Sequence, residues 1–192
     1  VNLYNRTAEK IAPLVEKPFI SVSGAIEGVG KLNLVTNDIE KAIQNVDIIM
    51  VTIPATGHYA IAKAMAPYLK DGQIIVLNPG RTGGALEVYE TLRHYGCYKA
   101  VTVAEAQTFI YACRATGSNS ARIFSVKHEV ALAAMPVVAT KRVIRLLSGA
   151  YPQFIPAKNV IETSINNFGA IFHPAPTLLN SGHIERGQIF EY

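Results

Sequence analysis

An α/β fold built on a doubly wound, largely parallel sheet is what this 192-residue chain predicts, and three observations predict it. Two continuous apolar runs, DIIMVTI at 47–53 and QIIVL at 73–77, lack the alternation of a half-exposed strand and read as strands buried on both faces. Each run is followed by a segment with apolar residues at helical spacing, 59–69 and 86–95. Strand, helix, strand, helix, strand is the order of a sheet covered by helices on both sides.

Taken in order, residues 1–4 read as a short strand and 8–16 as a helix. Thr7 is the expected N-cap of that helix, its hydroxyl accepting from an orphan backbone N–H. The stretch 19–35 alternates and holds Gly24, Gly28 and Gly30, which predicts strands joined by tight turns. Asp38 caps a short helix at 39–45. Asn78-Pro79-Gly80 stops the strand at 73–77, and Gly96 ends the helix at 86–95. The third sheet strand is expected at 100–103. Extended segments follow at 109–115 and 122–127 with Gly117-Ser118-Asn119 as their turn, then a helix at 137–148. Gly149-Ala150-Tyr151-Pro152 marks a boundary, so 1–151 is expected to form the first unit and 152–192 the start of a second. Beyond Pro152 the strand pattern is expected to stop, and 160–189 reads as helix interrupted at Pro174 and Pro176.

Composition excludes several classes of function. At 49% hydrophobic and 17% charged residues with a net charge of +4, the chain is globular rather than disordered. Its uninterrupted apolar stretches, near 47–55 and 130–139, each contain a proline and fall short of the ~20 residues of a membrane span. Cys97 and Cys113 are too few for a disulfide framework and have no zinc spacing, which points to a reducing, cytoplasmic setting and to no metal site. The isoelectric point is near 9.1, yet Lys and Arg are scattered. That pattern favours a pocket for anions over a nucleic-acid face.

Which residues carry chemistry follows from position. The dinucleotide fingerprint G-x-G-x-x-G is absent, and Gly24, Gly28 and Gly30 have the wrong spacing and read as a hairpin. Asn5, Arg6 and Thr7 follow the first strand, where a Rossmann-type sheet faces the adenosine ribose. An Arg there without an acidic neighbour pairs with a 2′-phosphate, which favours NADP over NAD; the alternative is an ordinary solvated arginine. Ile53, Pro54 and Ala55 follow one buried strand, and Asn78, Pro79 and Gly80 follow the next. Ligands bind at such carboxyl ends, and the small residues there let backbone approach a ligand, although each is equally a βα turn. His58 reads as structural. His173 sits where Pro174 and Pro176 deny the carbonyls of Ala170 and Phe172 their helical partners, and an imidazole at such a break suits acid–base work near neutral pH.

These residues resemble the opine dehydrogenase (octopine/nopaline dehydrogenase) family over nearly the whole chain. The resemblance is carried by 51–58 (VTIPATGH) with 66–73, by Leu77-Asn78-Pro79-Gly80, by 104–114 (AEAQTFIYACR), and above all by 166–180 with its core of His173, Pro174, Pro176, Thr177 and Asn180. Ala106-Gln107 and Phe109-Ile110 are less typical of the family's pattern and leave the substrate open. The resemblance implies a Rossmann domain joined to an all-helical domain with the active site between them. It implies reductive condensation of an amino acid with an α-keto acid, the nicotinamide hydride going to the imine carbon and His173 acting as acid and base. The family's aspartate partner of that histidine, and the first strand with its Gly-rich turn, are expected outside these 192 residues. Arg114 is expected to brace Glu105 or, second, to neutralise a substrate carboxylate. Asn180 either binds substrate or packs between helices. The implied partners are two small substrates, with no nucleic acid and no membrane, and the implied assembly is a homodimer. Two alternatives stand beside this reading: a two-domain hydroxy-acid dehydrogenase like ketopantoate reductase or 6-phosphogluconate dehydrogenase, for whose lysine only Lys158 is near, and a non-catalytic NADP-binding sensor.

Overall fold

The computed structural model describes residues 1–166, 169 and 172–188. Five strands form the central sheet in the order β11-β10-β7-β6-β5, where β5 is Ile48–Val51, β6 Ile74–Leu77, β7 Thr102–Ala106, β10 Val130–Met135 and β11 Phe154–Pro156. Strands β5, β6 and β7 run parallel, with Ile48 opposite Ile74 and Ile74 opposite Thr102. The helices α3 (His58–Met65) and α4 (Gly84–His94) make the crossovers between them.

Period-2 alternation along the buried strands divides the core in two. Ile75, Leu77 and Val103 pack with Met65, Val88 and Leu92 under α3 and α4. Ile74, Val76, Ala104 and Ala106 pack on the other face with Val143 and Leu147 of α5 (Thr140–Leu147). Full burial of each large apolar side chain here stabilises the fold by about 1.5–3 kcal/mol.

Three expectations need correction. The sheet is mixed, because β10 runs antiparallel to β7, Leu132 opposite Ala106. The chain leaves the end of β7 for a hairpin, β8 (Tyr111–Gly117) with β9 (Ser120–Val126), and returns at the same edge, so it must come back in the opposite direction. Strands also do not stop at Pro152: β11 pairs parallel with β10, its Phe154 buried in the core. As an edge strand it tolerates Pro156, which lacks an N–H. The helix expected at 160–189 is instead α6 (Val160–Ile165), α7 (Pro174–Leu179) and α8 (Ser181–Glu185) among the described residues. Pro174 takes the first position of α7, where its missing N–H costs nothing. Ala170, Ile189 and the last three residues lie outside the described residues.

Two smaller sheets complete the architecture. β1 (Asn2–Tyr4) pairs parallel with β4 (Leu34–Thr36), separate from the central sheet, under α1 (Ala8–Glu16). β2 (Phe19–Gly24) and β3 (Gly28–Lys31) form the expected hairpin, which joins the β8–β9 hairpin in a four-stranded sheet. Asp38 caps α2 (Ile39–Ile43) as expected, its carboxylate accepting from the Lys41 N–H at 3.3 Å. Thr7 makes no side-chain cap; the Asn5 side chain accepts the Thr7 N–H at 2.9 Å and closes the turn in its place.

Candidate functional site

The turn at Asn78-Pro79-Gly80 ties the carboxyl ends of the three parallel strands together. The Asn78 N–H donates to the Val51 carbonyl at 2.9 Å, at the end of β5, and the Gly80 N–H donates to the Ala106 carbonyl at 3.1 Å, at the end of β7. Asn78 is buried; its Nδ2 points at the Met50 sulfur at 3.7 Å, and its Oδ1 has no hydrogen-bond partner among the described residues. Ile53, Pro54 and Ala55 follow directly on β5, the last opening the short 3₁₀ turn that leads into α3. The two candidate loops are therefore adjacent.

Glu105, wholly buried on β7, holds this corner rigid. Its carboxylate accepts from the Ala85 N–H in the first turn of α4 and from the hydroxyls of Thr163 and Ser164 on α6, each at 2.8 Å. The Ser164 oxygen in turn accepts the Gly83 N–H at 3.1 Å. Burial pushes the Glu105 carboxyl above the usual range, and the three donors pull it back. Gly80 is required by this group, since a Cβ there would lie within 2.5 Å of the Glu105 carboxyl carbon and Oε2. Strand β7, helix α4 and helix α6 thus meet on one carboxylate.

His58 is the opposite case. It is wholly buried at the start of α3, and among the described residues neither ring nitrogen has a hydrogen-bond partner. Burial lowers its pKa, the Glu87 carboxylate only partly opposing, so the ring is neutral at physiological pH. It packs against Gly84, where a Cβ would come within 2.9 Å of Nδ1.

The remaining expected residues are dispersed. Asn5, Arg6 and Thr7 lie at the end of β1, with Arg6 exposed; the one ion pair among the described residues is Lys41–Asp38. Arg114 does not brace Glu105. It lies exposed on β8 opposite Arg122, because the chain changes sheets between Glu105 and Arg114. His173, exposed, immediately precedes α7, and its N–H donates to the Gly169 carbonyl at 3.1 Å. Asn180 ends the same helix, its Nδ2 donating to the Pro176 carbonyl at 2.8 Å. Asn167, Phe168 and Ile171 of this stretch lie outside the described residues. The Gln107 Nε2 donates to the Asn166 carbonyl at 2.7 Å, which ties the end of α6 to the end of β7.

Sequence reasoning missed the donor set of Glu105 and a pair of cations, Arg81 and Lys127, at the same edge. A Glu inside the apolar run VTVAEA and an Arg directly after Asn78-Pro79-Gly80 were the available signals. Among the described residues no group of three or more His, Cys, Asp or Glu can hold a metal ion, and no helix is long and apolar enough to cross a membrane.

No family model matches the chain. It is 33% identical over 186 residues to an opine dehydrogenase from Arthrobacter sp. (strain 1C), a match that covers 96% of this chain and 52% of that relative. The chain is a homologue of the opine dehydrogenases. It spans about half the length of the Arthrobacter enzyme. An octopine dehydrogenase structure with NADH and L-arginine superimposes with a TM-score of 0.73 at 25% identity, covering 88% of this chain and 44% of that one. A yersinopine dehydrogenase with NADP+ bound shares the fold, with a TM-score of 0.77 at 19% identity over 92% of this chain and 46% of that one.

Proposed function

We propose that the protein is an NAD(P)H-dependent oxidoreductase of opine dehydrogenase type, which condenses an amino acid with an α-keto acid and reduces the resulting imine. The observation that carries this reading is the buried turn at 78–80, where Asn78 keeps an acceptor with no partner at the edge that binds ligands in open α/β sheets. Such an orphaned oxygen fits a donor such as the carboxamide of a nicotinamide, because a buried acceptor left unmet is costly. Ile53, Pro54, Ala55, Asn78, Pro79 and Gly80 would line that half of the cofactor, and Asn5, Arg6 and Thr7 the ribose half. When bound, the cofactor supplies the hydride that reduces the imine carbon. The exposed Arg6 guanidinium suits a 2′-phosphate, so NADP is the proposed cofactor and NAD the alternative.

His173 manages protons. Imine formation requires the attacking amine to lose protons and the keto oxygen to leave as water, and one imidazole can take the first and protonate the second. Asn180 keeps its Oδ1 for substrate, since its Nδ2 is engaged by Pro176. Arg114 is left to a substrate carboxylate. The two-unit organisation, residues 1–151 followed by the start of a second unit at 152–192, belongs to the same proposal. So do a cytoplasmic location, consistent with two unpaired cysteines, and a homodimer.

The test is NADPH oxidation by the full-length protein with pyruvate and a panel of amino acids. Turnover is expected only when both are present, and His173→Ala should lower kcat by about 100-fold or more. Oxidation with keto acid alone would replace this reading with a hydroxy-acid dehydrogenase. NADPH binding without any turnover would favour a sensor. Arg6→Ala should erode the preference for NADPH over NADH, and an unchanged ratio would refute the assignment of Arg6.

A further inference from the structure

Arg81 leaves the turn at 78–80 with a left-handed backbone, φ 61°. That conformation costs a non-glycine residue free energy and is retained where the surroundings enforce it. Its guanidinium lies over the ring of Phe109, 5.6 Å from the centroid. Beside it, Lys127 at the end of β9 donates from Nζ to the Thr108 hydroxyl at 2.8 Å, and its backbone N–H donates to the Ile110 carbonyl at 2.9 Å. Arg81 and Lys127, far apart in sequence, are thereby held on the adjacent residues Phe109 and Thr108. Lys127 is pushed below the usual lysine range, by burial first and by the Arg81 charge second. Among the described residues neither cation has a carboxylate partner. The nearby Glu105 is already saturated by donors from Ala85, Thr163 and Ser164.

Like charges held near one another repel, and an anion taken up between them relieves that repulsion. We propose that Arg81 and Lys127, with Thr108, form an anion subsite at the C-terminal edge of β6 and β7 that takes the carboxylate of the α-keto acid. A planar guanidinium supplies paired donors to a carboxylate and an ammonium supplies a point charge, which together fix its orientation. Arg81 directly follows the turn that holds the orphaned Asn78 oxygen, and Thr108 directly follows Gln107, whose Nε2 donates to the Asn166 carbonyl. The subsite therefore deepens the opine dehydrogenase reading and rests on it for the identity of the anion. A phosphate of the dinucleotide has the same chemistry, and the two are separated by experiment.

In the full-length protein, Arg81→Asn keeps a residue that tolerates the left-handed backbone, and Lys127→Met keeps the length of the stem. Each should raise KM for pyruvate about tenfold or more, the loss of a charge-assisted hydrogen bond, and leave KM for NADPH within about twofold. Lys127→Arg should restore most of the affinity. A KM for pyruvate that stays within about twofold in both variants overturns the subsite while leaving the proposed reaction intact. A rise in KM for NADPH alone overturns the carboxylate assignment and gives the cations to a cofactor phosphate. If the wild-type protein oxidises no NADPH with any substrate pair, the reaction reading fails on its own. Saturation-transfer NMR with pyruvate then decides the subsite: a signal present in wild type and lost in the double variant upholds it. No wild-type signal, or one the substitutions leave unchanged, overturns it.

Discussion

Glu105 and His58 are both wholly buried against the first turn of α4, yet Glu105 accepts three hydrogen bonds at 2.8 Å whereas the His58 ring makes none among the described residues. The carboxylate joins three elements. The imidazole fills space between α3 and the close approach of Gly84. The difference separates two uses of a buried polar group: one fixes the geometry of the candidate edge, and the other is tolerated there because it is neutral. Substitutions on each side of the α4 turn should therefore have unequal effects.

The largest effect should come from Glu105→Leu. It strands the Ala85 N–H and two hydroxyls in the core, and chemical denaturation should show a loss of about 3–5 kcal/mol. Glu105→Gln keeps the volume and should lose less, about 1–2 kcal/mol. The comparison of wild type with Glu105→Gln has a pH dependence of known sign. The folded carboxyl titrates above its unfolded value of 4.5, so the contribution of Glu105 is greatest below 4.5 and falls as pH rises through the raised value. The gap between wild type and Glu105→Gln should narrow over that window, and a gap that widens would contradict the burial argument.

Next in size is Gly80→Ala, which forces a methyl group against the Glu105 side chain and should cost about 1–3 kcal/mol. The cause is specific, so the cost should shrink in a Glu105→Ala background. A double-mutant cycle with no coupling between positions 80 and 105 would show that the cost arises elsewhere. Thr163→Val removes one of the three donors and should cost about 1 kcal/mol, measured the same way.

How much of this was legible in the sequence depended on the range of the interaction. The strand β6 was, because burial on both faces writes itself as a run such as IIVL. β5 shows the same kind of run, although as an edge strand it is only half-buried at Ile48, Ile49 and Met50. The Asp38 cap was legible too, because its bond spans three residues. β10 was not: VALAAM is rich in Ala, carries no β-branched alternation, and merges with the helical pattern that follows it. β11 is only three residues long, too short for any period. The loops at the carboxyl ends of β5 and β6 could be placed because strand order alone puts them together. The Glu105 donors could not, since Thr163 and Ser164 lie 58 and 59 residues away and no local spacing marks them. Arg114 misled for the same reason, nine residues from Glu105 in sequence but in another sheet. A helical break at Pro174 was visible, whereas the tie from Gln107 to Asn166 was not.

The smallest effect should be at His58, and it tests the other half of the comparison. With no hydrogen bond to lose, His58→Leu removes two buried polar nitrogens and should leave stability at pH 7.5 unchanged or raise it by about 1 kcal/mol. The informative measurement is at lower pH. The folded imidazole titrates below its unfolded value of 6.5, so the unfolded chain binds its proton first and stability falls as pH drops below 6.5 toward the folded value. His58→Leu should abolish that part of the acid loss, so the advantage of the variant grows as pH falls below 6.5. Glu105 pulls the other way over the adjoining range, which makes the two slopes separable in the single variants. A loss above about 2 kcal/mol for His58→Leu at pH 7.5 would mean that the ring holds a partner as Glu105 does, and the contrast between the two sides of the α4 turn would fail.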